Sequence, residues 1–519
     1  MNDGPQERPP LSAWIGFMAM VVGMFMAILD IQIVSSSLPE IQAGLSAGAD
    51  EISWVQTSYL IAEVIMIPLS GWLARVFSTR LLFVASAGTF TLASAACAFA
   101  WDIDTMIAFR VLQGFLGGAM IPTVFSASFK LFPRSMTPTI TVIIGLVATM
   151  APTLGPTLGG WITETVSWHW LFLINLPFGL IVVPLVYIFV RIDEPNLDLL
   201  KGFDLLGIVL MALFLGCLEY VLEEGPGEDW LNSDKIIIFG SVMILSAIGF
   251  FWRELTTADP VVDLYAFRNR NFSTGCLFSF VIGCGLYGSV YLLPLFLGRV
   301  KGYNSLDIGV VMIVTGAFQF LSAPLAGALS KKLDLRIMLA IGLSLFGVGL
   351  ALTFFVTSEW GFWELFLPQA VRGISLMLCF VPINTLALGR LPHEELHNAS
   401  GLYNLMRNLG GAIGLAAINT LLIERLDLHK LRLSESLTAA RETAVGALEG
   451  LSLRLNDLWV SDPDLAALKL LKGLVTREAM TMTFGDAFLA LALVFGTALL
   501  FMPLVEKVNP NATPADGGH

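Results

Sequence analysis

Fourteen mostly apolar stretches, each bounded by charges or turn residues, run through this chain of 519 residues. Each is close to the length of about 20 residues that carries a helix across a bilayer core of ~30 Å. Their approximate limits are 13–36, 53–74, 81–100, 105–127, 139–162, 170–190, 203–222, 236–252, 273–297, 306–330, 337–356, 362–388, 399–424 and 483–504. Gly and Pro recur inside these stretches, which bilayer helices tolerate because neighbouring helices satisfy the freed backbone groups. Only 13% of the residues are charged, about half the ~25% of a soluble chain. Soluble enzymes, disordered scaffolds and nucleic-acid binders are thereby excluded. Cys97, Cys217, Cys276, Cys284 and Cys379 all fall in apolar stretches without CxxC spacing, so neither a disulfide framework nor a metal site is expected from them.

An even number of spans puts both termini on one side. The short segments on that side hold fifteen Lys and Arg (Arg8, Arg75, Arg80, Lys130, Arg134, Arg191, Lys201, Arg253, Arg268, Arg270, Lys331, Lys332, Arg336, Arg390 and Lys507). The opposite short loops hold Lys235, Arg299 and Lys301. The positive-inside rule therefore places both termini in the cytoplasm. A longer outer segment, 425–482, has more basic residues, but loops of that length translocate largely regardless of charge. It is expected to be a long outer loop with a polar, helix-like stretch from Glu435 to Trp459.

The run Pro68-Leu69-Ser70-Gly71-Trp72-Leu73-Ala74-Arg75, closing the second span, returns as Pro324-Leu325-Ala326-Gly327-Ala328-Leu329-Ser330-Lys331, closing the tenth. Gln113-Gly114 likewise answers Arg372-Gly373, and Pro122 answers Pro382. A parallel repeat of this kind fits two six-helix halves. The offset spans eight helices, so the seventh and eighth are an insert. The expected organisation is an N-terminal half over 1–195, an inserted pair over 196–260 and a C-terminal half over 261–519. The loop Glu223-Glu224-Gly225-Pro226-Gly227-Glu228-Asp229 between the inserted helices reads as a solvated acidic turn.

The first span ends Leu29-Asp30-Ile31-Gln32-Ile33-Val34-Ser35-Ser36-Ser37-Leu38-Pro39, the fourth holds Arg110-Val111-Leu112-Gln113-Gly114, and the fifth holds Gly155-Pro156-Thr157-Leu158-Gly159-Gly160. With the stretch Trp168 to Gly179 and the run Asn398-Ala399-Ser400 through Arg407-Asn408-Leu409-Gly410-Gly411, the chain resembles the major facilitator superfamily, in its fourteen-helix drug:proton antiporter branch of the EmrB/QacA type. The resemblance covers nearly the whole chain. It implies an all-α polytopic transporter in a bacterial inner membrane: a proton-coupled secondary exporter of amphipathic small molecules that serves multidrug efflux without a cofactor. It also implies a possible place as the inner-membrane part of a tripartite pump, with a periplasmic adaptor and an outer-membrane channel as partners. A metabolite or siderophore transporter on the same fold is the alternative. The sequence departs from the family where the loop after Gly71 usually carries Asp and then Gly-Arg-Lys. It has Ala74-Arg75-Val76-Phe77-Ser78-Thr79-Arg80 instead, so the gating contact of that Asp has no counterpart here.

Three basic residues remain inside spans: Arg110, Arg372 and Arg407. Buried charge in lipid is expensive and marks function. Asp30 lies nine residues before Pro39 on an outward-running helix, and Arg110 lies five residues into an inward-running one. At 1.5 Å per residue both fall at similar depth in the outer half of the bilayer and can meet. Arg110, Gln113, Gly114 and Gly118 share one helix face, whose glycines admit a close neighbour. The resemblance implies that Asp30 is the proton-linked carboxylate, with Arg110 as partner. Glu63 is a second candidate, as proton site, substrate counter-ion or an acid bonded in a helix seam. Arg372, together with Asn404, Arg407 and Asn408 on one face, and Gln113 are candidates for the substrate cavity. The two arginines favour an anionic amphiphile between Phe and Met walls, while Glu63 pulls toward cations. Gly155 and Gly159 form a packing seam that Pro156 can kink, and the family implies a role for them, as for Gly71, in the conformational cycle.

Glu219, Glu364, Glu424 and Asp486 lie near span ends and read as interfacial. His393-Glu394-Glu395-Leu396-His397 matches the HExxH zinc-protease pattern. It follows Pro392 in a short loop and reads as a solvated polar segment, so no metal and no enzyme activity are expected. No GxxxxGK[ST] phosphate loop occurs, which argues against ATP-driven transport.

Overall fold

The computed structural model describes residues 9–48, 51–202, 204–257, 260–389, 391–392, 394–438, 441–457 and 462–507. Among them the regular elements are helices, and 14 are long and apolar enough to cross a membrane. In chain order these are Leu11–Ser35, Trp54–Phe77, Thr79–Ala98, Ile103–Leu131, Thr137–Thr165, Trp170–Phe189, Leu205–Glu224, Asp234–Thr256, Arg270–Arg299, Ser305–Leu329, Leu335–Thr353, Phe362–Leu388, Leu396–Glu435 and Pro463–Leu504. Several begin at a side-chain cap supplied by the sequence. Asp102 accepts from the Thr105 backbone N–H at 2.8 Å to cap the fourth span, and Asn304 does the same for Asp307 at 2.9 Å in the tenth.

Small residues set which helices touch. A Cβ at Gly114 would overlap the Tyr59 backbone, and one at Gly118 would lie 2.7 Å from the Glu63 carbonyl oxygen, so these glycines seat the fourth span directly on the second. Gly155 and Gly159 lie against Gln32 and Ile33 of the first span, and Gly160 lies against Ser305 of the tenth. The fifth span thus packs on the first and also on the tenth and twelfth. Close backbone approach of this kind replaces the hydrophobic driving force that lipid does not supply.

The seventh span packs on the second and the thirteenth, while the eighth packs on the seventh and is otherwise largely exposed. The seventh helix therefore touches the core and the eighth faces outward.

The segment 425–482, expected as a long outer loop with a helix-like stretch, is largely helical among the described residues. The thirteenth span continues as helix to Glu435, a further helix covers Glu442–Asp457, and the fourteenth begins at Pro463. Charged residues end an apolar run, but Leu, Arg, Lys and Glu are all good helix formers, so the helix outlasts the membrane. Asp462 caps the last helix through Leu465, with Pro463 in its first turn.

Candidate functional site

Asp30 is 1% exposed and Arg110 is fully buried. Arg110 Nη1 donates to Asp30 Oδ2 at 2.5 Å, and its Nε donates to the Val55 carbonyl at 2.9 Å. The other carboxylate oxygen, Oδ1, accepts from Gln113 at 3.0 Å and from Asn175 at 2.8 Å. Ser94 receives a second hydrogen bond from each of these amides. Arg110 also lies over the Tyr59 ring, 4.2 Å from its centroid. The first, third, fourth and sixth spans thus converge on one carboxylate. The depth argument brings Asp30 and Arg110 together; Asn175 and Ser94 were not picked out as site residues, because a single amide or hydroxyl in an apolar run carries no spacing signal.

A cavity of about 450 Å³ opens on the face opposite the termini. Its lining includes Gln32, Gln56, Tyr287, Tyr291, Glu223, Glu224 and Asn419, with serines, Thr57 and aliphatic Leu, Val, Ile, Ala and Pro side chains for the rest. The expected Phe and Met walls are absent from this lining. A deeper pocket shares Gln32, Gln56, Tyr287 and Glu223 with it and adds Glu63, Glu219 and Asn408. Glu63 is 2% exposed and its Oε1 has no hydrogen-bond partner.

Glu219 and its neighbours correct the sequence reading. Glu219 is 5% exposed, and Glu223 and Glu224 are half-buried rather than solvated, because the end of the seventh span turns inward against the second and thirteenth. Glu224 accepts from Thr57 on the second span at 3.4 Å. One signal was available: three acids at the C-terminal end of a helix oppose its dipole, and a local rule broken without compensation marks a site.

Of the other candidates, Asn408 lines the deep pocket. Gln113 belongs to the Asp30 network. Arg407 donates to Asn404 at 2.7 Å and lies over the rings of Phe125 and Phe380 at 5.6 and 5.8 Å. Arg372 is packed against Gly349 of the eleventh span. Neither arginine is among the lining residues of the two connected cavities.

On the terminal side the helices close. The His397 carbonyl and the Asn398 backbone lie against Gly71. The His397 ring is 4% exposed, with Ser126 Oγ at 2.5 Å from Nδ1 and Lys130 Nζ at 2.6 Å and Asp193 Oδ2 at 3.2 Å from Nε2. Asp193 also accepts from the Thr79 backbone at 2.8 Å. Burial opposes the charge on Asp193, but the hydrogen bonds from His397 and Thr79 prevail and hold its carboxyl at about 2. The HExxH segment is therefore not uniformly solvated: His397 starts the thirteenth span and is spent on these contacts, Glu394 is exposed, and His393 lies outside the described residues.

The Major Facilitator Superfamily profile matches residues 20–415. The chain is 41% identical to the Colistin resistance protein EmrB of Acinetobacter baumannii, over 95% of this chain and 96% of that one. It is 30% identical to the Multidrug export protein EmrB of Escherichia coli K12, over 99% of both. The solved structure of the proton:xylose symporter XylE superposes with a TM-score of 0.60 at 12% identity, covering 97% of this chain and 98% of that one, a likeness of fold alone. Fourteen spans, the run of motifs and these relatives together establish that the chain belongs to the Major Facilitator Superfamily, in its EmrB-type branch.

Proposed function

We propose that the chain is a proton-coupled exporter of amphipathic small molecules, set in a bacterial inner membrane with both termini in the cytoplasm. The observation that carries this reading is Asp30, a buried carboxylate on the first span held by one guanidinium and two amides. Ionised, it is stable only while Arg110 faces it; protonated, it loses most of that attraction and frees the fourth span to move relative to the first. Proton binding at Asp30 is thereby tied to the packing of helices that meet at Gly155 and Gly159. The cavity opposite the termini is the release path, and the contacts around His397 close the loading side behind the substrate. The names of the two EmrB relatives, one for multidrug export and one for colistin resistance, support outward transport of drug-like molecules.

The helical stretches beyond the apolar spans expose Leu431, Leu453 and Leu465. We assign them to docking of a periplasmic adaptor, the partner that the resemblance to tripartite exporters implies. Removing Glu442–Asp457 is expected to abolish co-purification with such an adaptor.

Inside-out vesicles under an imposed pH gradient test the main reading. Wild-type protein should accumulate substrate only when the gradient is present; accumulation that follows ATP and ignores the gradient would overturn it.

A further inference from the structure

Glu219 and Glu223 stand one turn apart on the seventh span, and both line the deep pocket with Glu63 of the second. Among the described residues no ion pair reaches any of the three. Arg299 lines a neighbouring cavity with Glu223 but forms no ion pair with it among the described residues, and the two cations nearest Glu63 have partners of their own. Arg110 is held by Asp30 and the Val55 carbonyl, and Arg407 by Asn404 between two phenyl rings. Glu63 Oε1 is buried, unpartnered and turned into the pocket. Carboxylates withdrawn from water are costly until a countercharge arrives, and here no ion pair among the described residues provides it.

We infer that this pocket takes the positively charged head of the transported molecule, with Glu63, Glu219 and Glu223 selecting cationic amphiphiles. The first inserted helix is then a wall of the substrate site and sets its charge preference, a task not confined to the two six-helix halves. Gln32, Gln56 and Asn408 supply hydrogen-bond partners around the head. Tyr287 and Tyr291 add the aromatic surface that an onium ion favours, and the aliphatic lining of the wider cavity accommodates the tail. An anion of the same shape would meet uncompensated negative charge. The inference rests on the proposed role of this cavity as the substrate path and names the substrate class.

Tetraphenylphosphonium and tetraphenylborate have nearly the same shape and opposite charge, so the ratio of their affinities reads charge selection alone. Equilibrium binding to the full-length protein in nanodiscs should favour the phosphonium. In the double variant Glu219→Gln/Glu223→Gln that preference should fall about tenfold or more, equivalent to ~1.4 kcal/mol. Each single variant should lower it measurably, which keeps the test decisive if the double variant does not fold. No preference in the wild type, or an unchanged ratio in folded variants, would overturn the inference. Binding is measured without a proton gradient, so a failure of proton coupling leaves this ratio readable and a failed ratio leaves coupling to be judged separately.

Discussion

Asp30 and Arg110 are a pair whose members cannot be removed independently. Truncating Arg110 leaves a buried carboxylate with only amide donors, a loss of the order of 3–5 kcal/mol. Arg110→Ala is therefore expected to lower thermal stability more than Arg110→Ala combined with Asp30→Asn, because the second change removes the stranded charge. Melting curves of the purified variants check this; equal losses would mean that the pair does not interact in the folded protein. At this scale the sequence was informative where charge was at stake. A charge inside an apolar run has to find a partner, and helix rise alone set Asp30 and Arg110 at one depth. For Arg407 the same logic did not reveal the partners, since ring faces and an asparagine hold it in ways that spacing does not show. Glu219 was missed for a related reason: its position near a span end suggests water, and only the packing of the seventh span against the second shows otherwise.

Helices that must part and meet during transport touch through contacts that one methyl group can disturb. A Cβ at Gly71 would meet the His397 carbonyl oxygen at 2.9 Å, with backbone on both sides. Gly71→Val is expected to shift the protein away from the form closed on the terminal side. Spin labels at Phe77→Cys and Glu394→Cys should show a longer mean distance in that variant, and an unchanged distribution would contradict the assignment of this contact to closure. Asp193, which touches Thr79, Lys130 and His397 at the same seam, adds a pH argument. Its carboxyl is held at about 2 in the folded protein, below the ordinary value of ~3.9. Its contribution is thus fully present above the ordinary value and lost only as pH falls through about 2. Asp193→Asn should loosen the closed form equally at pH 5.5 and pH 8 by the same distance measurement; a loosening confined to one pH would contradict this. Elements were the most legible part of the sequence, since apolar length marks a span whatever its neighbours. Their ends were less so: the thirteenth and fourteenth helices run past the membrane because helix propensity and hydropathy are different properties.

In the whole molecule, one face holds the open cavity and the other the closed seam, so the direction of transport depends on which face meets the cytoplasm. We propose from the excess of Lys and Arg on the terminal side that this side faces inward. All five native cysteines are buried, which gives a quiet background for labelling. Cysteine introduced as Glu228→Cys should react with a membrane-impermeant thiol reagent added to intact cells, and Leu333→Cys should not; the reverse pattern would invert the orientation. The proposed internal repeat and insert rest on runs of sequence that recur along the chain. The acidic pocket was not visible there, because it joins residues from the second and seventh spans that lie far apart in sequence and meet only in the assembled bundle. The central claim is that transport is coupled to protons through Asp30. Proton movement driven by substrate in proteoliposomes, with no imposed gradient, measures it most directly. Wild-type protein should move protons against substrate flow and folded Asp30→Asn protein should move none, whereas substrate-driven proton movement at the wild-type rate in Asp30→Asn would contradict the account.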